Sequence, residues 1–423
     1  MKKFVIILLA LCLVLGCAVV YFVAKDGNPG SGEPAALHDP ENLAPETAEE
    51  AAAPEAAEEA AAPEADAPAG EEPITVRTLD FEAIRALHAP EEIAGHVGER
   101  EVSWDEYFYW LHDVGMQAEQ YIQTLAAYGQ QLDWSDKLSA ESESTLAEYV
   151  AELAGSYAVQ LNTIEALAAE TGAELSAENE AALAERLQTA IESACGEGAG
   201  EEEFNALLEQ EMISRRMYDR LERANYLYQN SFTALYGENG EKVSTEDALA
   251  FLRDGEYLCA THILFMTVDL DTGETLGEDA AAQKLQQAEA IVEELRAIED
   301  VEARVKRFGE LKQQYCEDTG KVNFPDGYLF TPGAMVSEFE DGVRALAEYE
   351  VSDPILSAYG YHVIMRLPLS AEMTMQYSEA GTPLDARAVY ANEQFNALMN
   401  SRVEQSAFTP AEGFAIDLTE YLK

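Results

Sequence analysis

Basic residues are what this chain most lacks: 26 Lys and Arg stand against 80 Asp and Glu in 423 residues, a formal net charge of −54. A chain so short of cations has no electrostatic footprint for a phosphate backbone, which excludes nucleic acid as a partner and disfavours anionic lipid headgroups. Cysteine is scarce too. Cys12 and Cys17 lie near the N-terminus, and Cys195, Cys259 and Cys316 are widely spaced with no C-x-x-C, so no disulfide framework is expected and these thiols read as buried or free. His38, His88, His96, His112, His262 and His362 form no H-E-x-x-H and no Cys/His ligand spacing, and no acidic run has the calcium-loop pattern. The sequence therefore implies no metal and no cofactor. What is present is apolar content of 48% and aromatic content of 9%, too much for a wholly disordered acidic protein.

One long hydrophobic run occurs. Lys2 and Lys3 precede Phe4 to Ala24, and Lys25 and Asp26 follow. The run matches the ~20 residues that cross a bilayer, so residues 1–26 are expected to act as a signal and single-pass membrane anchor. Val14-Leu15-Gly16-Cys17 offers an alternative, a lipoprotein modified at Cys17, and a released form is the third. All three place the rest of the chain on the extracytoplasmic face of the cell membrane. Residues 27–77 are mostly Gly, Pro, Ala and Glu, with Glu-Glu-Ala-Ala-Ala-Pro at 49–54 and again at 58–63. Such a segment buries too little apolar surface to offset chain entropy, and its like charges extend it, so it reads as a disordered acidic tether.

Residues 78–254 carry helical periodicity. Residues 91–101 suggest a short extended piece turning at Gly98, and Ser103-x-x-Glu106 is a capping-box signature. Leu146, Tyr149, Val150, Leu153, Tyr157, Leu161, Ile164 and Leu167 share a face of a long helix stopping near Gly172. Further helices are expected from about Ala177 to Ala194, from Gly200 to about Tyr236, and after Ser244. The aromatics Trp104, Tyr107, Phe108, Trp110, Tyr218, Tyr226, Tyr228 and Phe232 are core candidates, or in part the lining of a groove for unfolded chains.

At Tyr257 the pattern changes. A strand over residues 258–267, helices over 279–296, 301–315 and about 338–346, and a last strand over 361–367 make a compact α/β unit, residues 257–367. The tail, residues 368–423, holds a helix from about Asp385 to Glu404 and is too short to fold alone, so it is expected to pack back on the N-terminal helices. The fold class is α+β.

Four stretches in the α/β unit occur in a telling order: Ala260-Thr-His-Ile-Leu264, Phe330-Thr-Pro-Gly-Ala-Met-Val-Ser-Glu-Phe339, Val351-Ser-Asp-Pro354 and Tyr359-Gly-Tyr-His-Val-Ile364. Together they resemble a parvulin-type peptidyl-prolyl cis/trans isomerase domain, a small antiparallel sheet with surrounding helices. With an export signal before it and helices on both sides, the chain resembles the PrsA/SurA group of extracytoplasmic foldases. The resemblance implies a peptidyl-prolyl isomerase whose partners are unfolded or partly folded exported polypeptides containing X-Pro bonds. The alternative is a holdase with an idle parvulin-like domain. The family's paired histidines correspond to His262 and His362, with Asp318 beside them. Met335 and Phe339 correspond to the prolyl pocket, and Tyr359 to its rim. If a helix starts at Met335, the step to Phe339 turns both side chains to one cup. Two departures stand out: Pro325-Asp-Gly-Tyr-Leu-Phe330 shifts a glycine by one place, and Tyr349 replaces a common glycine. The acidic loop with Asp269, Asp271, Glu274, Glu278 and Asp279 would repel a phosphorylated substrate.

Overall fold

The computed structural model describes residues 74–139, 142–269, 272–322, 324, 327–378 and 381–423. The expected anchor, Cys17 and nearly all of the tether lie outside the described residues, as do Asp271, Pro325 and Asp326. Among the described residues no helix is long and apolar enough to cross a membrane. The chain groups into two compact units, residues 74–235 with 395–423, and residues 236–394. The strands in chain order are β1 (Ile93–Val97), β2 (Arg100–Ser103), β3 (Leu258–Met266), β4 (Tyr328–Phe330), β5 (Ile355–Leu356), β6 (Gly360–Leu367), β7 (Thr374–Tyr377), β8 (Pro383–Asp385) and β9 (Phe408–Pro410).

The first unit is mainly helical. Most of its helices begin where polar side chains satisfy the free N–H groups of a first turn. Ser103 Oγ accepts the Glu106 N–H at 3.4 Å to open the helix Trp104–Ala127. The reciprocal half of that box is absent, because the Glu106 carboxylate turns inward to Asn162 and Arg220. Thr145 and Glu148 form a full capping box before Leu146–Thr171, which ends at Gly172 with φ 68°. The single helix expected from Gly200 to Tyr236 is instead two, Glu201–Gln210 and Arg215–Tyr236. The break has a local cause: Met212 adopts φ 60°, buried Ile213 bonds back to the Leu208 carbonyl at 2.8 Å, and Ser214 Oγ accepts the Met217 N–H to start a new turn.

β1 and β2 form a hairpin turning at Gly98, and β9 adds antiparallel to β1, pairing Gly95 with Pro410 and Val97 with Phe408. An isolated bridge joins Leu79 to Leu422. Residues 395–423 thus complete this unit, as expected of the tail, whereas residues 368–394 group with the second unit. Trp104, Tyr107, Phe108, Trp110 and Tyr218 are buried as core; Tyr226, Tyr228 and Phe232 are half-buried, Tyr228 and Phe232 lying against Phe395. The groove reading of the buried five is thereby replaced by packing.

The second unit is built on an antiparallel sheet ordered β4-β3-β6-β5. β3 is buried along nearly its whole length, as a central strand must be, and pairs with β6 so that His262 faces Ile364 and Leu264 faces His362. The period of two divides its neighbours. Ile263, Phe265, Val363 and Met365 pack against the helices Glu278–Arg296 and Val301–Tyr315, whereas Leu258, Ala260 and Ile364 pack with Tyr328, Phe330, Phe339 and Val343. Gly360 opens β6 at φ 146°, where a Cβ would lie 2.1 Å from the Phe265 carbonyl oxygen, so only glycine fits. The displaced Gly327 takes φ 108°, and a Cβ there would lie 2.7 Å from the Ala260 carbonyl oxygen; the shift by one place supplies the turn that leads into β4. Tyr349 carries φ 63°, a left-handed conformation without glycine's freedom. A hairpin of β7 and β8 follows.

Candidate active site

The register of β3 and β6 places two imidazoles one diagonal step apart, with ring centroids 5.1 Å apart at 58°. Both are buried. Each spends Nε2 on a polar partner: His262 Nε2 lies 3.0 Å from Asp318 Oδ2, and His362 Nε2 lies 2.8 Å from Ser357 Oγ. Neither Nδ1 has a hydrogen-bond partner among the described residues. Asp318 is held from three sides, since Tyr328 OH donates to Oδ2 and the Gly320 N–H donates to Oδ1 at 2.8 Å. Ser357 Oγ also accepts the Tyr359 N–H at 3.1 Å.

The two histidines are electrostatically unlike. Burial acts to lower His262, but the Asp318 carboxylate and Cys316 outweigh it, and its pKa stands above the ordinary value. His362 is pushed down to about 3, first by burial and then by the positive charge of His262. Asp318 resists its own desolvation through the bonds from His262 and Tyr328 and titrates well below the usual carboxylate range. Burial and then Asp318 push the Tyr328 phenol up. The two shifts run in opposite directions: the Asp318 carboxylate favours the charged form of His262, while burial and the His262 charge keep His362 neutral.

Phe339 closes the apolar side. Its ring meets His262 edge-on at 5.2 Å and His362 at 5.5 Å, and Phe330 flanks it at 5.8 Å. Met335 packs half-buried on the same cluster. The helix, however, starts at Ser337, so Met335 precedes it and the expected i, i+4 step does not exist. What aims Met335 is Glu340, a buried carboxylate whose Oε1 accepts the N–H of Met335 at 3.0 Å and of Gly333 at 2.8 Å. Tyr359 sits differently from the other five. Its side chain packs with the cluster under the two long helices, and its link to the site is the backbone N–H to Ser357.

The structure thus brings His262, Asp318, His362, Met335 and Phe339 together, with Tyr359 joined through its backbone. It adds Ser357, Tyr328, Glu340 and Cys316. Cys316 is buried, its Sγ accepts the Leu264 N–H at 3.3 Å, and burial, which would raise its pKa, is outweighed by His262, which lowers it. Tyr328 was visible only as a departure from pattern, and Ser357 stands two residues before Tyr359 with nothing local to mark it.

Residues 262–367 match the family described as Rotamase, the PPIC-type PPIASE domain. Over 60 residues the chain is 52% identical to Foldase protein PrsA 1 of Bacillus cereus, covering 14% of this chain and 21% of that protein. Over 182 residues it is 29% identical to Foldase protein PrsA of Geobacillus kaustophilus, 40% of this chain and 62% of the relative. Over 80 residues it is 41% identical to Chaperone SurA of Chromohalobacter salexigens, 19% of this chain and 18% of that one. The matches thus span less than two thirds of each of these relatives' own length.

Proposed function

We propose that this chain, which carries a PPIC-type parvulin domain, is a peptidyl-prolyl cis/trans isomerase that assists the folding of exported polypeptides. The observation that carries the reading is the aromatic floor of Phe339 meeting both imidazoles within 5.5 Å, with the His262–Asp318 pair beside it.

Turning a prolyl bond requires loss of amide resonance, a barrier of about 18–20 kcal/mol, and breaks no covalent bond. The site must therefore bind the twisted amide better than the planar one. The proline ring would rest on Phe339 under Met335, whose unbranched thioether can shift to admit it. The twisted amide has lost charge separation, so a dry apolar setting favours it, while the ordered imidazoles and Asp318 supply fixed polar groups without reorganising. Ser357 and Tyr328 act as positioning residues, fixing His362 and Asp318. We place the catalytic roles on His262, Asp318 and His362, and substrate contact on Met335 and Phe339; Tyr359, whose side chain packs in the other cluster, is left the backbone bond that steadies Ser357. β3 continues into a loop whose Asp269 and Glu274 are exposed, which favours an X-Pro bond without phosphate.

The domain boundaries proposed are a helical domain at 78–254, the parvulin domain at 257–367 and a tail at 368–423. The segment before them, residues 1–26 with the tether 27–77, is proposed to hold the protein at the extracytoplasmic face of the membrane, by a single span or by lipid at Cys17. The test compares wild-type and Phe339→Ala full-length chains in two assays, isomerisation of a proline peptide and suppression of client aggregation. Loss of the first with retention of the second supports an isomerase joined to a holding domain. An isomerase rate at background for the wild type, with aggregation still suppressed, would leave only the holdase.

A further inference from the structure

The spacing of the histidines and cysteines along the chain shows no metal signature, yet folding assembles one. β3 supplies His262, and the segment after the helix Val301–Tyr315 supplies Cys316 and Asp318. One ligand atom from each, an imidazole nitrogen, the Cys316 sulfur and an Asp318 oxygen, all lie within 4.8 Å of one another. We propose that these three side chains form a binding site for a borderline-soft divalent cation, Zn²⁺ being the expected occupant.

Three arguments support it. The first is donor chemistry: thiolate, imidazole and carboxylate are the zinc ligand types, and three protein ligands leave a fourth position for water. The second is distance. Tetrahedral zinc sets its ligand atoms about 3.3–3.6 Å apart given bond lengths of ~2.0–2.3 Å. His262 Nε2 and Asp318 Oδ2 are 3.0 Å apart, so the pair needs to open by only a few tenths of an ångström. The third is the outer shell. The Leu264 N–H already donates to Cys316 Sγ at 3.3 Å, and the Gly320 N–H and Tyr328 OH already donate to Asp318, which are the bonds that orient ligating thiolates and carboxylates. The Asp318 side chain, 19% exposed, marks the side of entry.

Binding at neutral pH displaces the thiol proton of Cys316 and the proton that His262 shares with Asp318, both released to solvent as the Zn–S and Zn–N bonds form. It also withdraws His262 and Asp318 from their pairing. On the isomerase reading above, the filled site is inactive, and zinc switches turnover off.

The experiment titrates the metal-free full-length chain with Co²⁺, then with Zn²⁺. The expected result is one Co²⁺ per chain with a thiolate-to-cobalt charge-transfer band, displaced by equimolar Zn²⁺. Cys316→Ser should abolish the band, Asp318→Asn should weaken Zn²⁺ binding at least about tenfold, and Cys259→Ser should leave both unchanged, with circular dichroism reporting the fold of each variant. A band that survives in Cys316→Ser, or wild-type binding no tighter than that of Asp318→Asn, overturns the assignment. These readouts do not depend on turnover, so the metal site and the isomerase reading fail separately.

Discussion

Acid should loosen the second unit through one residue, His362. In the unfolded chain its imidazole titrates near ~6.5, whereas in the fold it is held down to about 3 by burial and by the neighbouring charge of His262. The folded state thus refuses a proton that the unfolded state accepts, and stability falls as the pH drops below ~6.5 toward 3. Integrating the difference in bound protons, the loss between pH 7 and pH 5 is about 2 kcal/mol from this residue alone. His262 has the opposite sign, its stabilisation being fully present below ~6.5 and lost as the pH rises through its elevated folded pKa. Replacing His362 with Gln removes the first contribution and leaves the second. Trp104, Trp110 and Trp134 all lie in the other unit, so tryptophan fluorescence does not follow this one. Hydrogen exchange of peptides covering Gly360–Leu367, corrected for intrinsic rates, is the suitable assay. Between pH 7 and pH 5 the wild type should lose about 2 kcal/mol more opening free energy than His362→Gln. Parallel losses in the two proteins would refute the assignment of His362 as a buried neutral imidazole.

Two other perturbations probe the supports of the site. Glu340→Ala leaves the Gly333 and Met335 N–H groups without their acceptor and should cost about 2 kcal/mol by chemical denaturation while raising KM for a proline peptide, with Glu340→Gln retaining most of both; unchanged KM in the alanine variant would remove Glu340 from the pocket. Tyr349→Gly relieves a left-handed residue and should raise stability by up to about 1 kcal/mol after glycine's added chain entropy, and a fall in stability would show that the Tyr349 side chain contributes more than its strain.

How much of this was legible beforehand depended on the range of the signal. β3, β6 and the helices on either side follow from periodicity and stop signals within a few residues, and so did the parvulin motifs around His262, Phe339 and His362. The failures are instructive in the same terms. The break at Met212 depends on Ile213 being buried and on Ser214 restarting the helix, neither of which stands out in an acidic helical run. Glu106 matched a capping box, but a tertiary partner, Arg220, took its carboxylate. The step from Met335 to Phe339 needed a helix starting at Met335, but the helix starts two residues later, and the residue that holds Met335, Glu340, looks like one more surface acid among 80 acidic residues. Ser357 and Cys316 become partners of the site only through strand pairing and a long-range turn. The net charge of −54 argues against a nucleic-acid partner and says nothing of the aromatic floor or the buried charge pair beside it.

On the proposed function, the floor of Phe339 and the paired histidines accelerate rotation about a prolyl bond. Exchange NMR on a short X-Pro peptide, with the full-length chain at catalytic concentration, measures that rotation directly. Cis/trans exchange cross-peaks are expected with the wild type, and their loss or at least about tenfold weakening with Phe339→Ala and with His262→Ala, each variant keeping its circular dichroism spectrum. Exchange at the uncatalysed rate with the wild type, or equal acceleration by all three proteins, would contradict it.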